Sequence, residues 1–361
     1  MTLALPNPRG EAWRWSDLSA LRALSDERPT GAANDPAPLW IGCGGPRLLF
    51  IDGVFQADAS TPGPIRIGRT EADPQNHPLA TQAGAEGWTL DLGPDHTPSA
   101  TIEIVHLSTG GANHLAASLR LAANAQASVV ETYAGPGWAN RLTDVRLARS
   151  ARLMLSRRVL GDAGFTSLTD FADLSEGASL ISVTLGAGAG DTRLDGRITL
   201  SGPNAFAEAG GALLARGEQR HDANLVLRHA APDGQSRQVW RSVADDRATA
   251  SVAARVEVAR AAQKTDAEQS LKGLLLARTA TINAKPELEI FADDVKCAHG
   301  ATVGELDRNA LFYLAQRGLP PADGQALLTR AFVIAALDRI GEEGVREAFV
   351  ADAERWLGGA A

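Results

Sequence analysis

The sequence is poor in the residues that most often mark chemistry. Cysteine occurs twice in 361 residues, at Cys43 and Cys297. Two thiols cannot form a disulfide framework, so a reducing, cytoplasmic location is expected. Lysine occurs only at Lys264, Lys272, Lys285 and Lys296, and acids outnumber bases for a formal charge of −8. That balance gives no reason to expect nucleic acid as a partner. No apolar run approaches the roughly 20 residues that cross a bilayer. The opening residues lack a basic stretch followed by an apolar one. Neither a membrane span nor a signal peptide is expected. No G-x-x-x-x-G-K-[ST] is present, and "GAGAG" at 186–190 lacks the spacing of a dinucleotide loop, so this chain is expected to bind no nucleotide. No G-x-S-x-G marks a serine nucleophile.

What is present is period and texture. "EAWRWSDLSALRAL" spaces Trp15, Leu18, Leu21 and Leu24 at three-residue steps, which predicts one helical face near the start. A Pro/Gly/Asn/Asp-rich loop follows, and residues 39–98 read as irregular β structure with long loops. From Thr101 to about Val295, segments such as "TIEIVHLS", "RLMLSRRV", "TRLDGRITL" and "ELEIFADDV" carry apolar residues at i and i+2. That is the period of a half-buried strand. So many short strands need an architecture that hides edges: a sandwich, a propeller or a stacked β-helix. Aromatics are only 5% of the chain and small residues abound, which suits the narrow core of stacked rungs. No clean internal repeat is visible. The tail reads as three helices. In the middle one, Leu328, Ala331, Phe332 and Ala335 share a face, and Val333, Leu337 and Ile340 form a second. Such a wide apolar arc exceeds what one packing partner needs. The expected division is 1–98, helical and irregular β; 99–299, a strand-rich core; and 300–361, a helical domain.

Candidate chemistry is sparse. His106 with His114, and His221 with His229, are each eight apart, a weak metal-site spacing. Cys43 lies in the turn-like "IGCGGP" and reads as a structural thiol. Cys297 and His299 stand two residues apart in "DDVKCAHG". On a strand they project from one face with Cα atoms about 6.6–7 Å apart. That is wide for a thiolate–imidazole hydrogen bond but suits two ligands reaching toward one metal or cluster. A complete site needs about four ligands, and no nearby motif supplies the rest, so a metal reading implies a site shared with another subunit. A buried thiol beside a solvated histidine stays open as the alternative.

"AAQKTDAEQSLKGLLL" (261–276), "KPELEIFADDVKCAHGATVGELD" (285–307) and "ALFYLAQRGLPPADGQALLTRAF" (310–332) closely resemble the C-terminal half of the SufB/SufD family of iron–sulfur cluster assembly proteins. "LPNPRGEAWRWSDLSAL" (5–21) resembles the opening of the family's SufD branch. Gly300 follows the SufD pattern, where the SufB branch usually has a glutamate. The SufB branch also carries a further cysteine in its β-helix, and none lies between Cys43 and Cys297 here. The resemblance implies a mainly β fold: a right-handed parallel β-helix core flanked by an N-terminal helical and irregular region and a C-terminal helical domain. It implies a non-enzymatic scaffold with no catalytic residues, paired with SufB and carrying the SufC ATPase on its tail, and a homodimer when isolated. Leu328, Phe332, Val333, Leu337 and Ile340 are the residues expected to dock that ATPase. A transient iron–sulfur cluster is expected at the SufB interface, at the positions that Cys297 and His299 occupy; flavin involvement is left open. The competing readings are a SufB-like paralogue, or a β-helix carbohydrate-active enzyme, which would need acids on successive rungs.

Overall fold

The structure, a computed structural model, describes residues 5–7 and 10–358. A short helix, α1 (Ala20–Asp26), precedes an entry region of β1 (Arg47–Ile51), β2 (Val54–Phe55), β3 (Ile65–Arg69), α2 (Pro78–Gln82) and β4 (Glu86–Leu92). Strands then follow one another almost without interruption: β5 (Ile102–Leu107), β6 (Ala112–Leu121), β7 (Gln126–Ala134), β8 (Trp138–Leu147), β9 (Arg152–Val159), β10 (Phe165–Leu174) and β11 (Ser179–Gly186). The run continues through β12 (Asp191–Leu200), β13 (Phe206–Ala215), β14 (Arg220–His229), β15 (Gln235–Ala244), β16 (Thr249–Val258) and β17 (Asp266–Leu275). It ends with β18 (Thr281–Ile290) and β19 (Lys296–Glu305), and the tail is α3 (Arg308–Gln316), α4 (Pro321–Leu337) and α5 (Glu343–Gly358).

Alternate strands stack in parallel. The odd strands from β5 to β19 build one sheet and the even strands from β4 to β18 build the other, with β1, β2 and β3 at the entry end. The molecule is therefore mainly β, a parallel β-solenoid of about eight turns with a helical tail. The strand pattern read from the sequence belongs to stacked rungs, and a sandwich or propeller is excluded. Strands continue to Glu305, six residues beyond the limit of the strand-rich region read from the sequence.

One corner shows why the chain winds regularly. Asp95, Asn124, Ser150, Gly177, Asn204, Asp233 and Lys264 all have φ near +60°. They recur every 26 to 31 residues. The N–H of each donates to the carbonyl just before, or at, the equivalent position one rung on, from Asp95 to Ala123 through Lys264 to Asp294. At the opposite corner Gly137 and Gly164 are also left-handed, at φ 99° and 87°. A Cβ on Gly164 would lie 2.2 Å from the Gly137 carbonyl oxygen. The repeat is thus a repeat of backbone conformation, filled by five residue types.

Leu, Val and small residues such as Ala207, Ala209, Ala223 and Ala254 fill the space between the sheets. Arg157 sits among them, 2% exposed. Its guanidinium donates to Glu131 at 2.8 Å, to both oxygens of Asp170 and to Thr143. Burial alone would push the Glu131 carboxyl up, but Arg157 and the His106 hydrogen bond pull it down to about 2.

Part of each outer face is covered, but not that of the last rung. On the even sheet, Arg193 holds the N-terminal segment through the Ala12 carbonyl at 2.8 Å and stacks 4.4 Å from the Trp13 ring. Leu18 and Leu21 are buried there, but helix begins only at Ala20, so Trp15 is not on the helical face its spacing predicts. Asp17 interrupts it by accepting the Ser19 N–H at 3.0 Å. On the odd sheet, α4, α5 and the connection between them pack Val333, Leu337, Ile340, Val345 and Phe349 against Val130, Val183, Leu185, Ala212, Leu214 and Val243. Arg158 reaches out of β9 to the buried Asp352 on α5.

Candidate functional site

The solenoid stops abruptly at its C-terminal end. β18 pairs only with β16 and β19 only with β17, so each leaves one edge of ten residues unpaired among the described residues. Every residue of β19 is exposed except the half-buried Cys297. Ile290, Phe291 and Val303 add exposed apolar surface to this end. A long, open, partly apolar edge is a template for another chain.

Cys297 and His299 both lie on β19. Cys297 is in register with Ala267 and packs against the core, so this alternation points inward. His299, two residues on, shares that face, as its spacing predicts. Its ring makes no hydrogen bond or ion pair among the described residues and is exposed. Burial raises the Cys297 thiol above its ordinary value, the Ala267 N–H opposes this, and Asp266 adds to it. Such a thiol stays protonated near neutrality and is not an activated nucleophile. A bound metal would deprotonate it. Among the described residues no group of three or more His, Cys, Asp or Glu could hold a metal ion, so the pair by itself does not make a metal site.

Two glutamines lie beneath His299 and were not singled out from the sequence. Gln238, Gln269 and His299 occupy one inward column on β15, β17 and β19. The signal was present: "RQVW" and "AEQSL" put glutamine at core-facing strand positions, where an amide is unusual.

The other candidate histidines do not assemble. His106 is on the odd sheet, stacked 4.6 Å from Tyr133 and bonded to Glu131 at 3.1 Å, whereas His114 is on the even sheet against Trp138. His221 and His229 are each fully buried at opposite ends of β14, facing the Leu214 carbonyl and Ser236. Cys43 sits by Glu103, whose carboxylate accepts the N–H groups of Ile41, Gly42 and Cys43. Burial, then Glu103, pushes its thiol up to about 12.

The five tail residues are divided. Val333 and Leu337 on α4 and Ile340 in the connection after it are fully buried, so the expectation that they dock a partner is corrected: they meet the solenoid and α5. Leu328 and Phe332 are half-buried, with the Arg241 guanidinium 5.8 Å from the Phe332 ring. The exposed apolar side chains of the tail are instead Phe312 and Tyr313 on α3 and Leu327 on α4, at 63%, 53% and 46% exposure. No described helix is long and apolar enough to cross a membrane.

Residues 106–332 match the family model of the SufBD core domain of SUF-system iron–sulfur cluster assembly. The chain belongs to the SufBD family. It is 26% identical to the iron–sulfur cluster assembly protein SufD of Escherichia coli, over 99% of this chain and 90% of that one. It is 28% identical to an iron–sulfur cluster assembly SufBD family protein of Synechocystis, over 94% and 84% respectively. SufD of Bacillus subtilis matches a shorter stretch, 28% identical over 46% of this chain and 38% of that one. The SufBD match ends inside α4, so it spans the open rung, α3 and the first part of α4.

Proposed function

We propose that this chain is a non-catalytic scaffold subunit of the SUF machinery. It pairs through its open end with a SufB-type subunit, and there Cys297 and His299 supply one half of a site that holds a nascent iron–sulfur cluster as cargo. The observation that carries this reading is a thiol and an imidazole on one face of the last strand, whose outer edge is unpaired among the described residues. Their donor atoms suit iron or a cluster, and the ligands they lack must come from whatever covers that edge. In isolation the same edge pairs two copies of the chain. A SufC-type ATPase docks on the tail, and the surface available for it is Phe312, Tyr313 and Leu327 with the partly exposed Leu328 and Phe332.

Co-expression with SufB-type and SufC-type partners tests both parts. His299→Ala should leave the three-protein complex assembled and reduce the cluster recovered on it, with Cys297→Ser milder because the partner can offer thiolates of its own. Phe312→Asp with Tyr313→Asp should release the ATPase and leave the solenoid's circular dichroism unchanged. Full cluster recovery on the His299→Ala complex would make the pair structural. Retained ATPase on the α3 double variant would put docking elsewhere.

A further inference from the structure

The glutamine column below the site has an unspent acceptor at its top. Gln269 is 1% exposed. Its amide nitrogen donates to the Ala254 carbonyl at 2.8 Å and to Gln238 Oε1 at 3.2 Å. Both N–H groups are then used. The Ala254 carbonyl can only accept, so the amide cannot be turned over. Gln269 Oε1 is left buried with no partner among the described residues. Buried polar atoms of this kind are rare and call for a donor. One rung lower the pattern is complete: Gln238 donates to the Arg255 carbonyl at 3.2 Å, and its Oε1 accepts from the residue above it, Gln269. The residue above Gln269, in register on β19, is His299. Adjacent strands lie about 4.8 Å apart, within reach of a side-chain hydrogen bond.

We infer that Gln269 is a positioning residue for His299. The His299 ring, unbonded and exposed in this structure, turns inward about its side-chain torsions so that Gln269 Oε1 accepts one ring N–H, which fixes the tautomer and aims the other ring nitrogen out of the open end. A metal-binding histidine is ordinarily held in this way through its second nitrogen. The use of that orientation rests on the cluster reading above; the hydrogen bond itself does not.

Long-range proton–nitrogen correlation spectra of the full-length ¹⁵N-labelled chain test this, with His299→Gln assigning the ring. The intact chain should show His299 in one predominant tautomer. Gln269→Leu and the unbranched Gln269→Met should each give a mixture of tautomers while the other histidines keep their shifts. Gln269→Glu, which still accepts, should restore the single form. Both tautomers in the intact chain, or one unchanged tautomer in both neutral variants, would overturn the inference. In the three-protein complex, Gln269→Met should lower cluster recovery toward the level of His299→Ala. A changed tautomer with full recovery would leave the positioning role standing and instead sink the assignment of His299 as a ligand.

Discussion

The two ends of the solenoid are finished in opposite ways. At the entry, β1 turns back on the two-residue β2 and β4 is met by the five-residue β3, both pairings antiparallel. Short reversed strands and irregular segments end each sheet there. At the exit, β18 and β19 are full ten-residue parallel strands that stop without a cap. β5 is buried along its whole length, whereas β19 buries no residue fully. An open edge of that length offers its backbone groups to any chain that can pair with it. The interior rungs hold the molecule together, and the last rung is available to associate.

The largest effect is expected at Arg157. Arg157→Ala leaves the buried Glu131 and the half-buried Asp170 without their cation. Breaking one side of a buried ion pair costs roughly 3–5 kcal/mol. The urea midpoint should fall steeply, and Arg157→Lys should recover little, because one ammonium cannot reproduce the fork that serves Glu131, Asp170 and Thr143. An unchanged midpoint would mean that the network is not part of what holds the middle rungs.

Two glycine substitutions sharpen the contrast. Gly164→Ala forces a Cβ onto a left-handed residue and into the backbone of the preceding rung. A cost of roughly 1–3 kcal/mol is expected. Gly300→Ala, on β19, meets open space and keeps an ordinary φ, so its effect should stay within about 0.5 kcal/mol. Thermal midpoints of the two variants, measured side by side, check the difference.

Acid should also find the interior first. Burial lowers His106, His221 and His229 to about 4 in the folded chain. Unfolded imidazoles titrate near 6.5. Their contribution is therefore fully present above about pH 6.5 and is lost as pH falls toward 4, because the unfolded chain takes up protons that the folded one refuses. By pH 5 this is on the order of 1–2 kcal/mol for each histidine. Glu131, held down at about 2, adds its loss only below its unfolded value. A midpoint that stays flat between pH 7 and 5 would contradict the burial of these rings.

Much of this architecture was legible in the sequence, and the failures have physical causes. Period-two alternation identified strands because each rung has one face inside and one outside. Cys297 and His299 were placed on one strand face for the same reason. The rung repeat was hidden because it lives in φ angles: Asp95, Ser150 and Lys264 do the same corner work with unrelated side chains, and the interval drifts between 26 and 31 residues. The wide apolar arc of α4 was read as surface for a partner, but sequence cannot tell an internal partner from an external one. Here Val333, Leu337 and Ile340 meet the solenoid, while α3, with a less apolar sequence, carries the exposed Phe312 and Tyr313. The Gln238–Gln269–His299 column needed register, which no single strand contains.

The smallest effect on stability is expected where the effect on association is greatest. Val303 stands on the last strand at 44% exposure, beside Ile282 over Gly273. Val303→Lys removes little buried area, and the new ammonium reaches solvent from an open edge. The monomer's thermal midpoint should therefore move by no more than about 0.5 kcal/mol equivalent. The edge, however, gains a charge of the kind that blocks strand pairing between chains. Light scattering should show the isolated variant shifted from dimer toward monomer, and co-purification with a SufB-type subunit should fall. Val54→Lys is the matching control at the entry end, also exposed but next to an edge already closed by its hairpin. It should leave both associations intact. If the two variants behave alike, the open rung is not the interface, and the asymmetry between the ends has another origin.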